Sequence, residues 1–331
     1  MLTIEHQYID RESGAVRTEQ LLGDRMVRLL YAGTRENAPI FFRLLTSAWS
    51  SSLLGYLNFD LPLRSARSFI TRCGIDPAEC LDPPETLDTP RKVFERKIRY
   101  WECRPLPDDH RTVVCPADSR VLVGSFAETS TLFLKEKFFS FDELLGNRRE
   151  WLRAFAGGDF AVFRLTPDKY HYNHLPVSGR VADFYEIDGG YHSCNPAAVV
   201  TVATPYSKNK RVVTIIDTDV PRGTGVGLVA MVEVVALMIG EIASCYSAHR
   251  YEAPQPLEPG MFVEKGQPKS LFRPGSSTDV LMFQKGRVRF AEDLLRNMEH
   301  PTAASRFTRG FERPLVETDV KVRSLLAHAA D

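Results

Sequence analysis

The first part of the chain carries apolar residues at the spacing of amphipathic helices. One such stretch covers residues 18–32, and a stronger one covers residues 41–53, where apolar side chains recur every three or four positions. The second stretch has two interpretations: a helix packed on the core, or a helix whose apolar face, with Phe41 and Trp49, rests on a membrane surface. A third helix is predicted over residues 64–72, ending near Gly74.

Beyond residue 90 the pattern changes to short apolar runs separated by turn residues. Val, Ile, Thr and Phe dominate these runs, which favours strands. The predicted strands cover residues 112–114, 121–123, 131–134, 160–164, 199–203, 211–216, 226–237, 280–283 and 288–290. A short helix is predicted over residues 141–145, with Ser140 as its N-cap.

These patterns predict an α+β fold, with a helical N-terminal part followed by a mainly antiparallel β domain. The boundary between the two parts is expected in the acidic, proline-rich segment 81–90, whose composition is typical of a linker. Residues 1–80 then form the helical region, which includes the candidate membrane-contacting helix. Residues 91–331 form the β domain.

Composition and charge mainly exclude some classes of protein and site. The 331 residues contain 42 basic and 42 acidic side chains, so no net charge would steer the protein onto nucleic acid. The longest apolar stretch, residues 226–243, contains Glu233 and Glu241, which argues against a transmembrane helix. The six cysteines form no CxxC pair, and the N-terminus lacks the apolar core of a signal peptide. Both features are typical of a cytoplasmic protein with reduced thiols and no structural zinc site.

Three segments contain residues suited to catalysis, and each also has an ordinary structural interpretation. Asp118 follows a short predicted strand, where aspartate commonly caps its own turn. His171 and His174 lie three residues apart between prolines, without an obvious third metal ligand nearby. Residues 275–278, Gly-Ser-Ser-Thr, lead into a predicted strand as a β-turn would. The glycine-rich segment 223–227 lacks the spacing and the following helix of a dinucleotide-binding motif.

Taken together and in this order, the three segments resemble the phosphatidylserine decarboxylases, pyruvoyl-dependent enzymes that are made as proenzymes. Residues 116–118 match the family's P-A-D-G element, and residues 164–177 match R-L-x-P-x-D-Y-H-R-x-H-x-P-V. Residues 272–283 match F-x-x-G-[GS]-S-x-x-x-x-x-F, and residues 8–11 are similar to the opening of some bacterial members. The resemblance covers nearly the whole chain.

The resemblance implies that the protein makes its own electron sink from a serine of its backbone. In that mechanism Ser277 is the nucleophile, His174 is the base and Asp118 is the acid that orients the base. Ser277 lies six residues before Phe283, as the family serine does, so cleavage is expected between Ser276 and Ser277. Ser276 stands where glycine usually precedes the cleaved bond, which keeps cleavage between Gly275 and Ser276 as an alternative.

Processing would give a long β chain, residues 1–276, and a short α chain, residues 277–331, that begins with the pyruvoyl group. The cofactor is then a pyruvoyl group derived from Ser277, with neither a metal nor pyridoxal phosphate. The substrate amine would condense with the pyruvoyl carbonyl as a Schiff base and lose CO2. His171 is implied in this second step, either as proton donor or in placing the substrate carboxylate.

The substrate class is where the chain departs from the family pattern. Lys169, Tyr172, Ser119 and Val235 replace the family's usual residues, and residues 89–97 keep little of another family element. Phosphatidylserine, converted into phosphatidylethanolamine at the cytoplasmic membrane face, is the expected substrate, and a free, even aromatic, amino acid is the alternative. Two other classes stay open: a Ser-His-Asp hydrolase and a binding protein that no longer processes. A homodimer is expected only because dimers are common.

Overall fold

The structure, a computed structural model, describes residues 5–19, 59–126, 141–190, 205–238, 241–311 and 314–330. The strands are β1 Gln7–Asp10, β2 Val16–Thr18, β3 Thr112–Val114, β4 Ser119–Ser125, β5 Asp159–Leu165, β6 Tyr172–His174, β7 Gly179–Ile187, β8 Arg211–Asp217, β9 Leu228–Met238, β10 Ile242–Ser244, β11 Phe262–Val263, β12 Pro268–Phe272, β13 Gly275–Phe283, β14 Val288–Phe290, β15 Glu317–Val320 and β16 Leu325–Ala329. The helices are α1 Ala66–Arg72, α2 Pro90–Phe94, α3 Tyr100–Cys103, α4 Phe141–Leu144, α5 Arg149–Phe155, α6 Pro205–Lys208, α7 Glu292–Met298 and α8 Arg306–Phe311, with 3₁₀ turns at Pro77–Glu79 and Pro84–Thr86.

A ten-stranded sheet forms the body of the fold, in the order β11-β7-β8-β9-β13-β5-β4-β15-β1-β2. Neighbouring strands are antiparallel except β1 and β15, which are parallel. The sheet places β13 near its middle, between β9 and β5. Val280, Leu281, Met282 and Phe283 are fully buried, so both faces of β13 are covered, which accounts for its continuous apolar run.

Two smaller three-stranded sheets complete the strands, with the orders β10-β12-β6 and β14-β16-β3. The first of them packs on one face of the large sheet, where Phe272 of β12 contacts Leu165 of β5 and Val235 of β9 in one apolar cluster. This packing brings β6, which carries the second predicted histidine, against the strands that flank β13.

The α+β class and the mainly antiparallel sheet confirm the prediction. The helix expected over 64–72 is α1, whose N-cap Ser65 accepts a hydrogen bond from the Ser68 backbone amide at 3.3 Å. The helix expected over 141–145 is α4, and its predicted cap, Ser140, lies outside the described residues. The strands expected over 131–134 and 199–203 lie outside them too, as do residues 20–58 with Phe41 and Trp49.

Residues 7–18 differ from the expectation of a helical N-terminal part. They form β1 and β2, which lie at the edge of the large sheet, and β1 pairs with β15 near the other end of the chain. The four-residue run of β1 is too short to show the alternation that predicts a strand. Helices are also not confined to the N-terminal part, because α4, α5, α7 and α8 follow residue 140. The domain boundary at 81–90 stays a prediction.

In the part of the chain that the structure describes, we find no helix with the length and apolar character needed to cross a membrane.

Candidate functional site

Ser277 lies near the start of β13, at the point where this strand begins to pair with both of its neighbours in the large sheet. It pairs with Leu165 of β5 on one side and with Val235 of β9 on the other, and it is 1% exposed. On the β9 side the register shifts between Gly275 and Ser277, so the backbone at Ser276 departs from regular ladder pairing. A bulge of this kind leaves a peptide outside the regular ladder, and bulges are common next to active sites.

Asp118 and His174 lie at the same end of the sheet as Ser277. Asp118 directly precedes β4, and β4 pairs with β5 from the Arg120–Arg164 pair onward, next to Leu165. Ala117 packs with Leu165, Val235 and Phe272, the apolar side chains around Ser277. The His174 backbone amide donates to the Pro116 carbonyl at 2.7 Å, which fixes β6 beside the Asp118 turn.

The carboxylate of Asp118 is buried and bound by Arg104. Arg104 Nε donates to Oδ1 at 3.1 Å and Nη2 donates to Oδ2 at 2.9 Å, while the Val322 amide donates to Oδ1 at 2.8 Å. Burial opposes ionisation, but the charge and hydrogen bonds of Arg104 outweigh it and lower the pKa of Asp118. Within the described part of the chain no hydrogen bond joins Asp118 to His174, whose two ring nitrogens are bonded to Gly266 and Tyr170.

His174 is fully buried, and both ring nitrogens have partners. Its Nδ1 lies 2.9 Å from the Gly266 carbonyl oxygen, which can only accept, so Nδ1 carries the hydrogen. Its Nε2 lies 2.9 Å from the Tyr170 hydroxyl and therefore accepts from it. Burial lowers the pKa of His174 to about 3, so the ring is a neutral imidazole with its basic nitrogen at Nε2.

His171 is also fully buried, but its surroundings differ. Its ring stacks on Phe94, with 3.4 Å between ring centroids and an interplanar angle of 23°. In the described structure neither Nδ1 nor Nε2 has a hydrogen-bond partner. Burial, followed by the charge of Arg96, lowers the pKa of His171 well below its usual value. The Lys169 backbone acts on this pKa in the opposite direction, so it lies near the ring, and His171 is a neutral imidazole whose nitrogens make no regular hydrogen bond.

Comparison with known proteins identifies the family. The family model for phosphatidylserine decarboxylase matches residues 91–309, about two thirds of the chain. A phosphatidylserine decarboxylase proenzyme of Chlamydia trachomatis is 31% identical over 297 residues, covering 89% of this chain and 92% of that protein. This chain belongs to the phosphatidylserine decarboxylase family.

Other phosphatidylserine decarboxylase proenzymes are similar over the same span. The one from Fusobacterium nucleatum is 27% identical over 298 residues, covering 89% of this chain and 92% of that protein. Proenzyme 3 of Schizosaccharomyces pombe is 28% identical over 298 residues, covering 87% of this chain but 29% of that longer protein. Members of this family are carboxy-lyases, and the matched segment contains Asp118, His171, His174 and Ser277.

A further cluster of ionisable groups comprises His6, just before β1, Glu19, just after β2, and Glu317 of β15, whose ligand atoms are close enough to hold a metal ion. Arg164 already occupies the space between the two carboxylates, with Nη2 at 2.7 Å from Glu19 and 2.6 Å from Glu317. Because a guanidinium neutralises these carboxylates directly, the cluster is a buried ion-pair network that ties β1 and β15 to β5.

The sequence analysis missed the groups that hold the predicted site residues. No sequence motif indicates that Arg104 binds Asp118. Gly266 acts through its backbone carbonyl, and a pattern of side chains cannot predict such a contact. Tyr170 could have been noticed, because it precedes His171 inside the matched segment. Its hydroxyl also lies 2.7 Å from that of Tyr251.

If His174 is the base of the chain cleavage that the resemblance implies, its low pKa predicts how that cleavage depends on pH. The neutral base form is populated at every pH above about 3, so the cleavage rate should change less than about twofold between pH 7 and pH 5. A histidine of ordinary pKa would lose roughly twentyfold over the same interval, since it becomes protonated. The measurement is the rate of chain splitting after cell-free synthesis and dilution into buffers across this range. A rate that falls steeply with a midpoint near 6.5 would contradict the assignment.

Proposed function

We propose that this protein is a proenzyme that cuts its own chain between Ser276 and Ser277, converts Ser277 into a pyruvoyl group, and decarboxylates phosphatidylserine to phosphatidylethanolamine. The observation that carries this proposal is the position of Ser277 at a β-bulge, beside the turn of Asp118 and the strand of His174. The names of the similar proenzymes support it.

The cleavage chemistry uses atoms of the chain itself. Ser277 Oγ attacks the carbonyl carbon of Ser276, the C–N bond breaks, and the amide becomes an ester with a free amine at residue 277. A proton then leaves Cα of residue 277 and the Cβ–O bond breaks, which releases residues 1–276 with a carboxylate end. Water hydrolyses the remaining enamine through its imine form and ammonia leaves. The serine hydroxyl is a weak nucleophile, so the first step needs a base.

His174 is the proposed base, and the Gly266 carbonyl and Asp118 support it in that role. The Gly266 carbonyl fixes the tautomer, so that Nε2 is the nitrogen that takes a proton. The negative charge of Asp118 raises the proton affinity of His174 through space, although Arg104 holds the carboxylate itself. Before reaction Nε2 must exchange its hydrogen bond from Tyr170 for one from Ser277 Oγ.

The surroundings of Ser277 fit the proposed pyruvoyl group. Leu165, Val235 and Ala117 are apolar and buried, so they exclude water from the position. The group would supply an electrophilic carbonyl for the substrate amine and an electron sink when CO2 leaves. His171, whose ring nitrogens make no regular hydrogen bond, is the proposed residue for the decarboxylation step, where it contacts the substrate carboxylate or moves a proton.

A lipid substrate would bring the protein to the cytoplasmic face of a membrane, and the helix expected over 41–53 is the proposed contact. The test of the substrate uses purified, processed protein with three compounds in parallel: vesicles containing phosphatidylserine, free serine and free phenylalanine. Release of CO2 from the vesicles, with formation of phosphatidylethanolamine, is the expected result. CO2 from a free amino acid alone would replace the lipid by that amino acid and leave the pyruvoyl chemistry intact.

A further inference from the structure

A second carboxyl group lies behind Ser277 on the same face of the large sheet. Side chains alternate along a strand, so the side chains of Ser277 and Asp279 point to the same face of the sheet. Their Cα atoms are roughly 7 Å apart. Asp279 pairs with Phe163 of β5 and Glu233 of β9, and its side chain is fully buried. Neither carboxyl oxygen has a hydrogen-bond partner in the described structure.

Glu233, directly across from Asp279, is by contrast fully satisfied. Lys269 Nζ and Ser270 Oγ of β12 both donate to its carboxylate, and Asn173 Nδ2 of β6 donates to Oε1 at 3.0 Å. Lys269 therefore neutralises Glu233, and Ser270 and Asn173 donate to the same carboxylate rather than to Asp279. Asp279 is the member of the cluster left without a partner.

Other buried polar atoms near Asp279 also lack a partner. Oδ1 of Asn173, whose Nδ2 bonds Glu233, has none, and neither has Oγ1 of Thr278, which faces the other side of β13. A buried polar atom without a partner costs about 1–3 kcal/mol, so several of them on one side of β13 call for a functional explanation. A polar ligand bound between the two sheets next to residue 277 would satisfy them.

Asp279 and His171 differ in their readiness to give up a proton near neutral pH. Burial, and then the charge of Glu233, raises the pKa of Asp279 well above its usual range, whereas burial lowers the pKa of His171. Near neutral pH Asp279 therefore holds a transferable proton, and His171 is a neutral ring that is a poor acid. A carboxylic acid kept neutral by burial is a known form of proton donor.

We infer that Asp279 donates the proton that replaces the departing carboxylate on the α-carbon of the substrate. This inference rests on the proposed function. The O–H bond of Asp279 breaks, a C–H bond forms with the electron pair that CO2 leaves behind, and the resulting carboxylate regains a proton from solvent water. His171 then keeps the other of its two proposed roles, which is to contact the substrate carboxylate.

The first test is independent of turnover. It uses the Ser277→Ala chain, which lacks the serine proposed for processing, and compares its infrared carboxyl absorption with that of the Ser277→Ala, Asp279→Asn double variant. We expect a protonated-carboxyl band near neutral pH that is lost in the double variant. If the two spectra agree in that region, Asp279 is ionised and the inference is wrong.

The second test follows where the proton goes. Asp279→Asn should still split and form its carbonyl, checked by the mass of the short chain, but turn over roughly a hundredfold more slowly. In deuterated water its product should lose the single configuration at the labelled α-carbon. Protonation at the wrong carbon should also leave short chains that begin with alanine. Asp279→Glu, which keeps an acid, should recover part of the rate.

The outcomes separate the inference from the proposed function. A wild-type chain that never splits would end the proposed function. A wild type that splits, together with an Asp279→Asn variant of unchanged rate and product configuration, would overturn only the role of Asp279. An Asp279→Asn chain that folds but fails to split would do the same, since the residue would then act before turnover.

Discussion

Replacing Ser277 with alanine is expected to leave the protein as one unbroken chain without carboxy-lyase activity. The wild type should instead run on a denaturing gel as two bands, which correspond to residues 1–276 and 277–331. The reason is that alanine has no hydroxyl to attack the preceding carbonyl, so no ester forms and no ketone is made. Intact mass measurement of both proteins gives the result, and reaction with a hydrazide probe reports the carbonyl.

The matched control is Ser276→Ala, one residue earlier in the same bulge. It should split as the wild type does, because its hydroxyl has no role when Ser277 is the nucleophile. If Ser276→Ala stays whole while Ser277→Ala splits, the cleaved bond is the one between Gly275 and Ser276. A wild type that is active as an unbroken chain lacking a carbonyl would refute self-processing altogether.

Under native conditions the two wild-type chains should elute together. Strand β13 of the short chain lies between β5 and β9, and β15 lies between β4 and β1, so cleavage before Ser277 cuts the backbone without separating the sheet. β14 and β16 add a third connection, because β16 pairs with β3. The ion pairs of Glu317 with Arg164 join the two chains inside the core.

The sequence predicted the buried strands better than the polar part of the site. Residues 280–283 show a continuous apolar run, and the expected strand there is the second half of β13. The first half was missed because Ser277, Thr278 and Asp279 are polar, although all three are buried. Short strands such as β1 and β15 were missed as well, since they pair with each other from opposite ends of the chain.

For the site itself, the motifs identified residue types that the fold brings to one end of the sheet, but they did not predict the contacts. Asp118 is bound by Arg104 and His174 by Tyr170 and Gly266, and these partners follow from tertiary packing. In the sequence Glu233 is a charge that interrupts an apolar run. Its pairing with Lys269 explains how that charge is tolerated in a central strand.

His174→Ala and His171→Ala are expected to fail at different steps. Without His174 the chain should remain unsplit for at least a hundred times the wild-type half-time, because no neutral imidazole accepts the Ser277 proton. Without His171 the chain should split normally and then show little or no CO2 release. Time courses of splitting, and of CO2 release from phosphatidylserine vesicles by the processed fraction, separate the two variants.

Both histidines are buried, so the alanine variants also lose packing, and conservative variants are needed to isolate the chemistry. His174→Gln can still donate to the Gly266 carbonyl and accept from Tyr170, yet it has no basic nitrogen, so it should fold and remain unsplit. His171→Phe keeps a ring to stack on Phe94 and removes both nitrogens, so it should split and not turn over. Normal turnover by His171→Phe would remove His171 from the second step, and normal splitting of His174→Gln would remove His174 from the first.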